Sequence, residues 1–211
     1  MLADIVVSLI VFGSLFASIE LLQRLTHINK HVTRKLAHIA AAGGAAFLPL
    51  FMPLKTVAII GLIFVCVMFV SKKRHIFMAI HDIPRQTSGE IYMPLGIALS
   101  ALLAGSTTAF VYACLVLASA DVSAEYFGKK YGRKFTNKHI ATKSIQGSAA
   151  FFVTAYLLGL VLMGRAGVAN SILVSAIVAS CSTVAELVSL KGLDNLSIPL
   201  TVIIVLRLFG M

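Results

Sequence analysis

Long apolar runs, separated by short polar segments, make up most of this chain. The runs predict helices that cross a membrane, near residues 5–23, 37–53, 55–71, 91–105, 107–127, 147–164, 167–190 and 196–210. Several are shorter than the roughly 20 residues that a perpendicular spanning helix needs, so they could be half-helices or could line a polar cavity. We therefore predict an all-α fold, a polytopic transmembrane helical bundle of about seven to eight spans that forms a single domain over residues 1–211.

Composition and charge agree with this prediction. Hydrophobic residues make up 59% of the chain and charged residues only 12%, which excludes an ordinary soluble domain. All Lys and Arg residues except Lys55, Arg165 and Arg207 fall on one side of the predicted bundle. The positive-inside rule makes that side cytoplasmic, with both termini external if there are eight spans. The same rule accounts for the net charge of +10, so we expect no nucleic-acid partner.

The carboxylates gather on the same side. Every Asp and Glu except Asp4 falls at the cytoplasmic end of a predicted span or in a cytoplasmic loop. The positive-inside rule says little about acidic residues, so their position needs another explanation. Proteins usually bind Mg²⁺ through one or two carboxylates and the phosphates of a substrate. Converging carboxylates among basic loops therefore predict a site for Mg²⁺ and a polyphosphate at the cytoplasmic face.

One stripe of residues heads this predicted site. Asp121 ends an apolar run, and Asp121, Glu125, Gly128 and Gly132 recur at a spacing that places them on one face of a helix. An ionisable residue at membrane depth indicates function, so we predict that Asp121 is a metal ligand or a base. Glu125 is either a second metal ligand or a residue of the membrane interface. The glycines would admit a phosphate or the backbone of a packed helix. Two basic residues of the same segment would contact phosphate: Lys129 and Lys130.

Two further polar segments precede the stripe. Arg34, Lys35 and His38 lie at the entry to the second run, where Arg34 and His38 share a helix face. We predict that Arg34 and Lys35 bind phosphate and that His38 is a catalytic polar group; the alternative is anchoring at the membrane interface. Glu90 begins a short apolar run that contains a proline. It is either a metal ligand or general base, or a carboxylate favoured by the helix dipole.

Two segments follow the stripe. Before the sixth run, backbone N–H groups, a lysine and hydroxyls stand at a helix N-terminus, which suits an anion, although a simple serine cap is the alternative. The residues concerned are Lys143, Ser144, Gly147 and Ser148. The seventh run contains one acidic residue, and an acidic residue followed by an amide precedes the eighth run. The acid-amide pair either caps a helix or, together with the first acid, completes the metal and nucleotide site. These are Glu186, Asp194 and Asn195.

Five short motifs thus occur in order along the chain. They are R-K-x-x-H from Arg34, G-E-x-Y-x-P from Gly89, D-x-x-A-x-x-x-G-x-x-x-G from Asp121, K-S-x-x-G-S from Lys143 and E…D-N-x-x-x-P from Glu186. Together they resemble the CTP-dependent lipid-alcohol kinase family, which includes dolichol, phytol and farnesol kinases and a CTP-dependent diacylglycerol kinase. The resemblance covers about residues 30–200. The chain departs from the family pattern where Ala120 replaces a usual Gly and Gln146 replaces a usual Glu.

The resemblance implies transfer of the γ-phosphoryl group of CTP to the hydroxyl of a membrane lipid alcohol, with Mg²⁺ as cofactor. It implies that Asp121, Glu125, Glu186 and Asp194 bind the metal, and that either Asp121 or Glu90 orients the alcohol. The partners would be CTP, the alcohol and the bilayer. The alcohol, whether a polyprenol, a phytol-like isoprenoid or diacylglycerol, and the oligomeric state are left open. Two alternatives are a CTP:lipid-phosphate cytidylyltransferase and an ion-coupled transporter.

Overall fold

The computed structural model describes residues 1–26, 28–74, 76, 87–133, 135 and 143–211. These residues contain no β-strand, so the all-α prediction is confirmed. Within the described ranges the chain forms eight long helices: α1 Leu2–Thr26, α2 Lys30–Phe47, α3 Leu54–Lys73, α4 Gly89–Leu103, α5 Thr107–Tyr131, α6 Ile145–Arg165, α7 Ser171–Val188 and α8 Asp194–Leu208.

Five of these helices, α1, α3, α5, α6 and α7, are long and apolar enough to cross a membrane, and α4 is a shorter apolar helix. The predicted total of seven to eight spans therefore stays a prediction. Helix α2 begins earlier than expected, at Lys30 and not near residue 37, because Asn29 caps it by accepting a 2.9 Å hydrogen bond from the His31 N–H. The R-K-x-x-H motif consequently lies within the helix and projects from successive turns.

Helix α5 is not a uniform α-helix. Residues Val116–Ala120 form a π-turn immediately before Asp121, and regular α-helix resumes over Asp121–Tyr131. Such wide turns are rare and are frequent at functional sites. The predicted stripe of four residues is also shortened, because Gly132 lies beyond the helix end with an extended backbone (φ −73°, ψ 129°). The stripe therefore ends at Gly128, and Gly132 belongs to the cap.

The core has two main parts, and α5 belongs to both. Helices α1–α4 pack around the rings of Phe16 and Phe64, whereas α5–α8 pack around Tyr112 and Phe151. The buried Tyr112 hydroxyl donates a 2.8 Å hydrogen bond to the Ala155 carbonyl, which ties α5 to α6. The π-turn side of α5 also contacts α2. This arrangement brings the polar segments of helices from both parts of the core to one end of the bundle.

Candidate functional site

A cavity of about 1180 Å³ opens between the two parts of the core, and all eight helices contribute to its wall. All residues that were predicted from the sequence to belong to the site, except Lys130, form part of the wall of this cavity. The Lys130 ammonium lies instead 5.2 Å from the centre of the Tyr131 ring and 5.6 Å from that of Tyr126, on the exposed side of α5. The structure thus brings the predicted residues together, and their individual roles stay predictions.

The first charged cluster joins α2 to α5. The Lys35 ammonium lies 3.0 Å from Asp121 Oδ2 and 2.5 Å from Glu125 Oε2. Lys129 Nζ and His31 Nε2 each lie 2.5 Å from Glu125 Oε1. Burial on its own would lower the pKa of the Lys35 ammonium, but the two carboxylates outweigh it and the pKa is raised. Lys35 is therefore a permanent cation that bridges two predicted metal ligands.

His38 lies one turn further along α2, beneath Lys35. Its Nε2 lies 2.9 Å from the Leu117 carbonyl in the π-turn and 3.7 Å from Asp121 Oδ2. A carbonyl can only accept a hydrogen bond, so Nε2 carries the proton in this arrangement. The buried imidazole therefore holds the wide turn of α5 against α2, immediately before Asp121.

The second charged cluster joins α6, α7 and α8. Lys143 forms an ion pair with Glu186 Oε1, and its ammonium lies 3.8 Å from Asp194 Oδ2. Glu186 is buried, and among the described residues its Oε2 atom has no hydrogen-bond partner. The hydroxyl of Ser148, also in the cavity wall, likewise has none. Two buried oxygen atoms in the wall are therefore unsatisfied within the part of the chain that the structure describes, which is costly unless another group contacts them.

The donor chemistry of this second cluster fits a hard divalent cation. Burial raises the pKa of the Asp194 carboxyl, and the charge of the nearby Asp121 raises it further. A cation would relieve both effects, and Mg²⁺ takes oxygen ligands. Within the described ranges no three His, Cys, Asp or Glu side chains are grouped as a complete protein metal site. A cation here would accordingly share its ligands between these carboxylates and a bound phosphate.

Glu90 belongs to a third cluster, at the junction of α3 and α4. Lys72 Nζ lies 2.7 Å from Glu90 Oε1 and donates a 2.8 Å hydrogen bond to the Thr87 carbonyl. The Asn195 side-chain amide donates a 2.9 Å hydrogen bond to the Gly89 carbonyl, so α8 holds the start of α4. Lys72 was not predicted as a site residue, because the positive-inside rule already accounted for its charge.

Small residues make the crossing of α5 and α6 close. A Cβ at Gly128 would lie 2.8 Å from Ser144 Oγ, and one at Gly147 would lie 2.8 Å from the Ala124 carbonyl. Ser144 Oγ accepts a 3.1 Å hydrogen bond from the Gly147 N–H and so caps α6. The contacts present at these residues are therefore those of helix packing and a serine cap, the two alternatives weighed for them.

Another part of the cavity wall is apolar. Phe12 and Phe16 of α1, Phe64 of α3 and the alanines of one α2 face, Ala41 and Ala45, continue the cavity away from the charged clusters. A single cavity thus combines cations and carboxylates at one end with hydrocarbon walls at the other. This combination suits an amphiphile whose polar group reacts among charged residues.

Comparison with known proteins finds a similar protein of named activity. The chain is 29% identical over 197 residues to a phytol kinase from Synechocystis sp., an alignment that covers 89% of this chain and 83% of that protein. No family model matches the chain, and no solved structure matches it.

Proposed function

We propose that the protein belongs to the lipid-alcohol kinase family, which this similarity supports. We propose that it transfers the γ-phosphoryl group of CTP to the hydroxyl of a membrane lipid alcohol. The observation that carries the proposal is the continuity of the charged clusters with the apolar part of one cavity. An alcohol in this cavity would have its tail between the helices and its hydroxyl among the charges. Because the relative is a phytol kinase, a phytol-like isoprenoid alcohol is our first candidate substrate.

Phosphoryl transfer requires mainly alignment and the neutralisation of charge. Four cations in the cavity wall would bind the triphosphate: Arg34, Lys35, Lys129 and Lys143. The last three are paired with carboxylates. Bound phosphates would replace the carboxylates as partners of these ammonium groups, and Glu186, released from Lys143, would be able to bind the metal.

Mg²⁺, when bound, would neutralise charge on the triphosphate. We propose that Glu186 and Asp194 hold it, because both lie beside Lys143 and Glu186 offers a buried oxygen that has no hydrogen-bond partner among the described residues. Glu125 would be less suited to this role, since three side chains, Lys35, Lys129 and His31, already contact it.

We further propose that Asp121 accepts a hydrogen bond from the reacting hydroxyl and receives its proton as the phosphoryl group arrives. Asp121 is better placed for this role than Glu90. Asp121 contacts Lys35 in the first charged cluster, and its charge raises the pKa of Asp194 in the second. Glu90, in contrast, lies 2.7 Å from Lys72 in the third cluster. His38 would position Asp121 through the π-turn. The bias of Lys and Arg supports a cytoplasmic position for this end of the bundle.

The test uses the purified protein in lipid nanodiscs with phytol, Mg²⁺ and labelled CTP. Label from the γ-phosphate should enter the lipid. Entry of the α-phosphate label would instead indicate a cytidylyltransferase, and ion flux without CTP consumption would indicate a transporter. Replacing CTP by each other nucleoside triphosphate tests the donor.

A matched pair of variants tests the role of Asp121. Asp121→Asn should lower kcat by about 100-fold or more, because a positioned proton acceptor typically contributes that much. Asp4→Asn is the same chemical change at an exposed residue that pairs with the N-terminal amine, and it should leave kcat unchanged. Equal rates for the two variants would remove Asp121 from the mechanism.

A further inference from the structure

The apolar part of the cavity is a corridor along one face of α2. Ala41, Ala45 and Leu48 follow His38 at intervals of three or four residues, so their side chains lie on one face, and all of them line the cavity. At 1.5 Å per residue, the path from His38 to Leu48 is about 15 Å long. The corridor therefore has His38 at its polar end and Leu48 at its far end.

Aromatic rings form the wall opposite these small residues. The rings of Phe12 and Phe64 are 5.6 Å apart and those of Phe16 and Phe64 are 6.2 Å apart, in both cases edge to face. Phe12 also touches α2, since a Cβ at Gly44 would lie 3.1 Å from its ring. Because these rings are packed against one another, they have little room to move. The free width of the corridor therefore depends on the small side chains of α2.

The depth of the corridor can be compared with the membrane. The hydrocarbon core of a bilayer is about 30 Å thick, so a corridor of about 15 Å spans one leaflet. We infer that the corridor binds the single tail of the substrate alcohol, and that Ala45 and Leu48 set the longest tail it accommodates. The selected substrates are single-chain alcohols with tails about one leaflet long, and long polyprenols are disfavoured. This inference rests on the proposed function for its substrate.

Ala45 is the residue at which tail length can be changed with least disturbance to the charged clusters. It is buried, and it lies about 10 Å from His38 along the axis of α2. A leucine there would fill the corridor at that depth and exclude the part of the tail beyond it. Each excluded methylene should lower the apparent affinity by about fourfold, the equivalent of its transfer free energy.

The experiment compares Ala45→Leu with Gly43→Leu on the same helix. A Cβ at Gly43 would meet nothing within 4 Å, so a side chain there points away from the packed core and the substitution is a matched control. The kcat/KM ratio of phytol to geraniol should fall by about 10-fold or more in Ala45→Leu, as several methylenes lose contact. The same ratio should be unchanged in Gly43→Leu, and Leu48→Ala should increase the rate with a long polyprenol.

Tail binding is measured separately from catalysis, as the rise in melting temperature that each alcohol produces in detergent. The inference predicts that phytol stabilises the wild-type protein and Gly43→Leu but not Ala45→Leu. Phytol stabilisation without phosphoryl transfer would support the corridor and overturn the proposed function. Phosphoryl transfer with an unchanged phytol-to-geraniol ratio in Ala45→Leu would overturn the corridor alone, as would equal kcat/KM values of the wild type for phytol and a long polyprenol.

Discussion

Lys143→Met should destabilise the folded protein strongly, and adding Glu186→Gln should recover about half of that loss. Lys143 forms an ion pair with Glu186, of which only 4% is exposed, so the carboxylate cannot turn to solvent when the ammonium is removed. Removing one partner of a buried ion pair costs about 3–5 kcal/mol. The Lys143 side chain is 18% exposed, so we place the expected cost at the lower end, about 3 kcal/mol.

The double variant isolates the interaction. Glu186→Gln alone should cost about 1–2 kcal/mol, because Lys143 remains 3.8 Å from Asp194 and partly exposed. Lys143→Met with Glu186→Gln leaves no unpaired charge at this pair and should also cost about 1–2 kcal/mol. The single losses would sum to about 4–5 kcal/mol, so the cycle should give a coupling free energy of about 3 kcal/mol.

The free energy of unfolding can be measured by SDS titration in mixed micelles, followed by circular dichroism because the chain has no Trp. Arg165→Met, at an exposed residue outside the cavity wall, is the control and should stay within about 0.5 kcal/mol of the wild type. Additive single and double variants would refute the buried ion pair. The double variant should nevertheless lack phosphoryl transfer, since Lys143 is proposed to bind the triphosphate, and this would separate stability from catalysis.

Three other predictions follow from packing, hydrogen bonding and charge. Gly61→Ala should cost about 1–3 kcal/mol of unfolding free energy, because its Cβ would lie 2.9 Å from a side chain of α4, whereas Gly43→Ala should stabilise α2 by about 0.5–1 kcal/mol. His38→Leu should cost about 1–3 kcal/mol in the same SDS titration, because the Leu117 carbonyl loses its partner. Asp194→Asn should be more stable than the wild type at neutral pH. The pKa of the Asp194 carboxyl is raised in the folded protein, so this group contributes stability below its ordinary pKa of 3.8. That contribution is lost as the pH rises through the pKa of the folded state. The difference between the two proteins should disappear in a pH titration towards 3.8, and Mg²⁺ should stabilise the wild type more than the variant.

The helices were predictable from hydropathy because the backbone of a chain in lipid must satisfy its own hydrogen bonds. The polar segments Arg34 to His38 and Asp121 to Gly128 were predictable from their spacing, and both line one cavity. The π-turn at Val116–Ala120 was not predictable, because a wide turn leaves an apolar run equally apolar. Its partner His38 was identified only as a polar residue in an otherwise apolar helix, which does not specify what it contacts.

Pairing between distant helices was the second feature that spacing could not predict. Lys72 lies in the last turn of α3 and Glu90 in the first turn of α4, and a charge bias explains the lysine equally well with or without the pair. His31 did carry a local signal, since it precedes Lys35 by one helical turn, and both side chains contact Glu125. Interhelical ion pairs follow from tertiary packing, which the sequence specifies only through the fold as a whole.

The charges of the site suggest why it can be both buried and reactive. Lys35 contacts the carboxylates of Asp121 and Glu125, and Lys143 that of Glu186, so the lysines and carboxylates compensate one another in place. A magnesium–nucleotide complex brings its own cation and anions together. It can therefore exchange partners with these pairs, with phosphates on the lysines and metal on the carboxylates, without leaving a buried charge alone. A nucleotide without metal would take the lysines and strand the carboxylates, so binding of CTP should require Mg²⁺ even before any phosphoryl transfer. Equilibrium binding of CTP to the wild-type protein that is equally tight with Mg²⁺ and with excess chelator would contradict this argument.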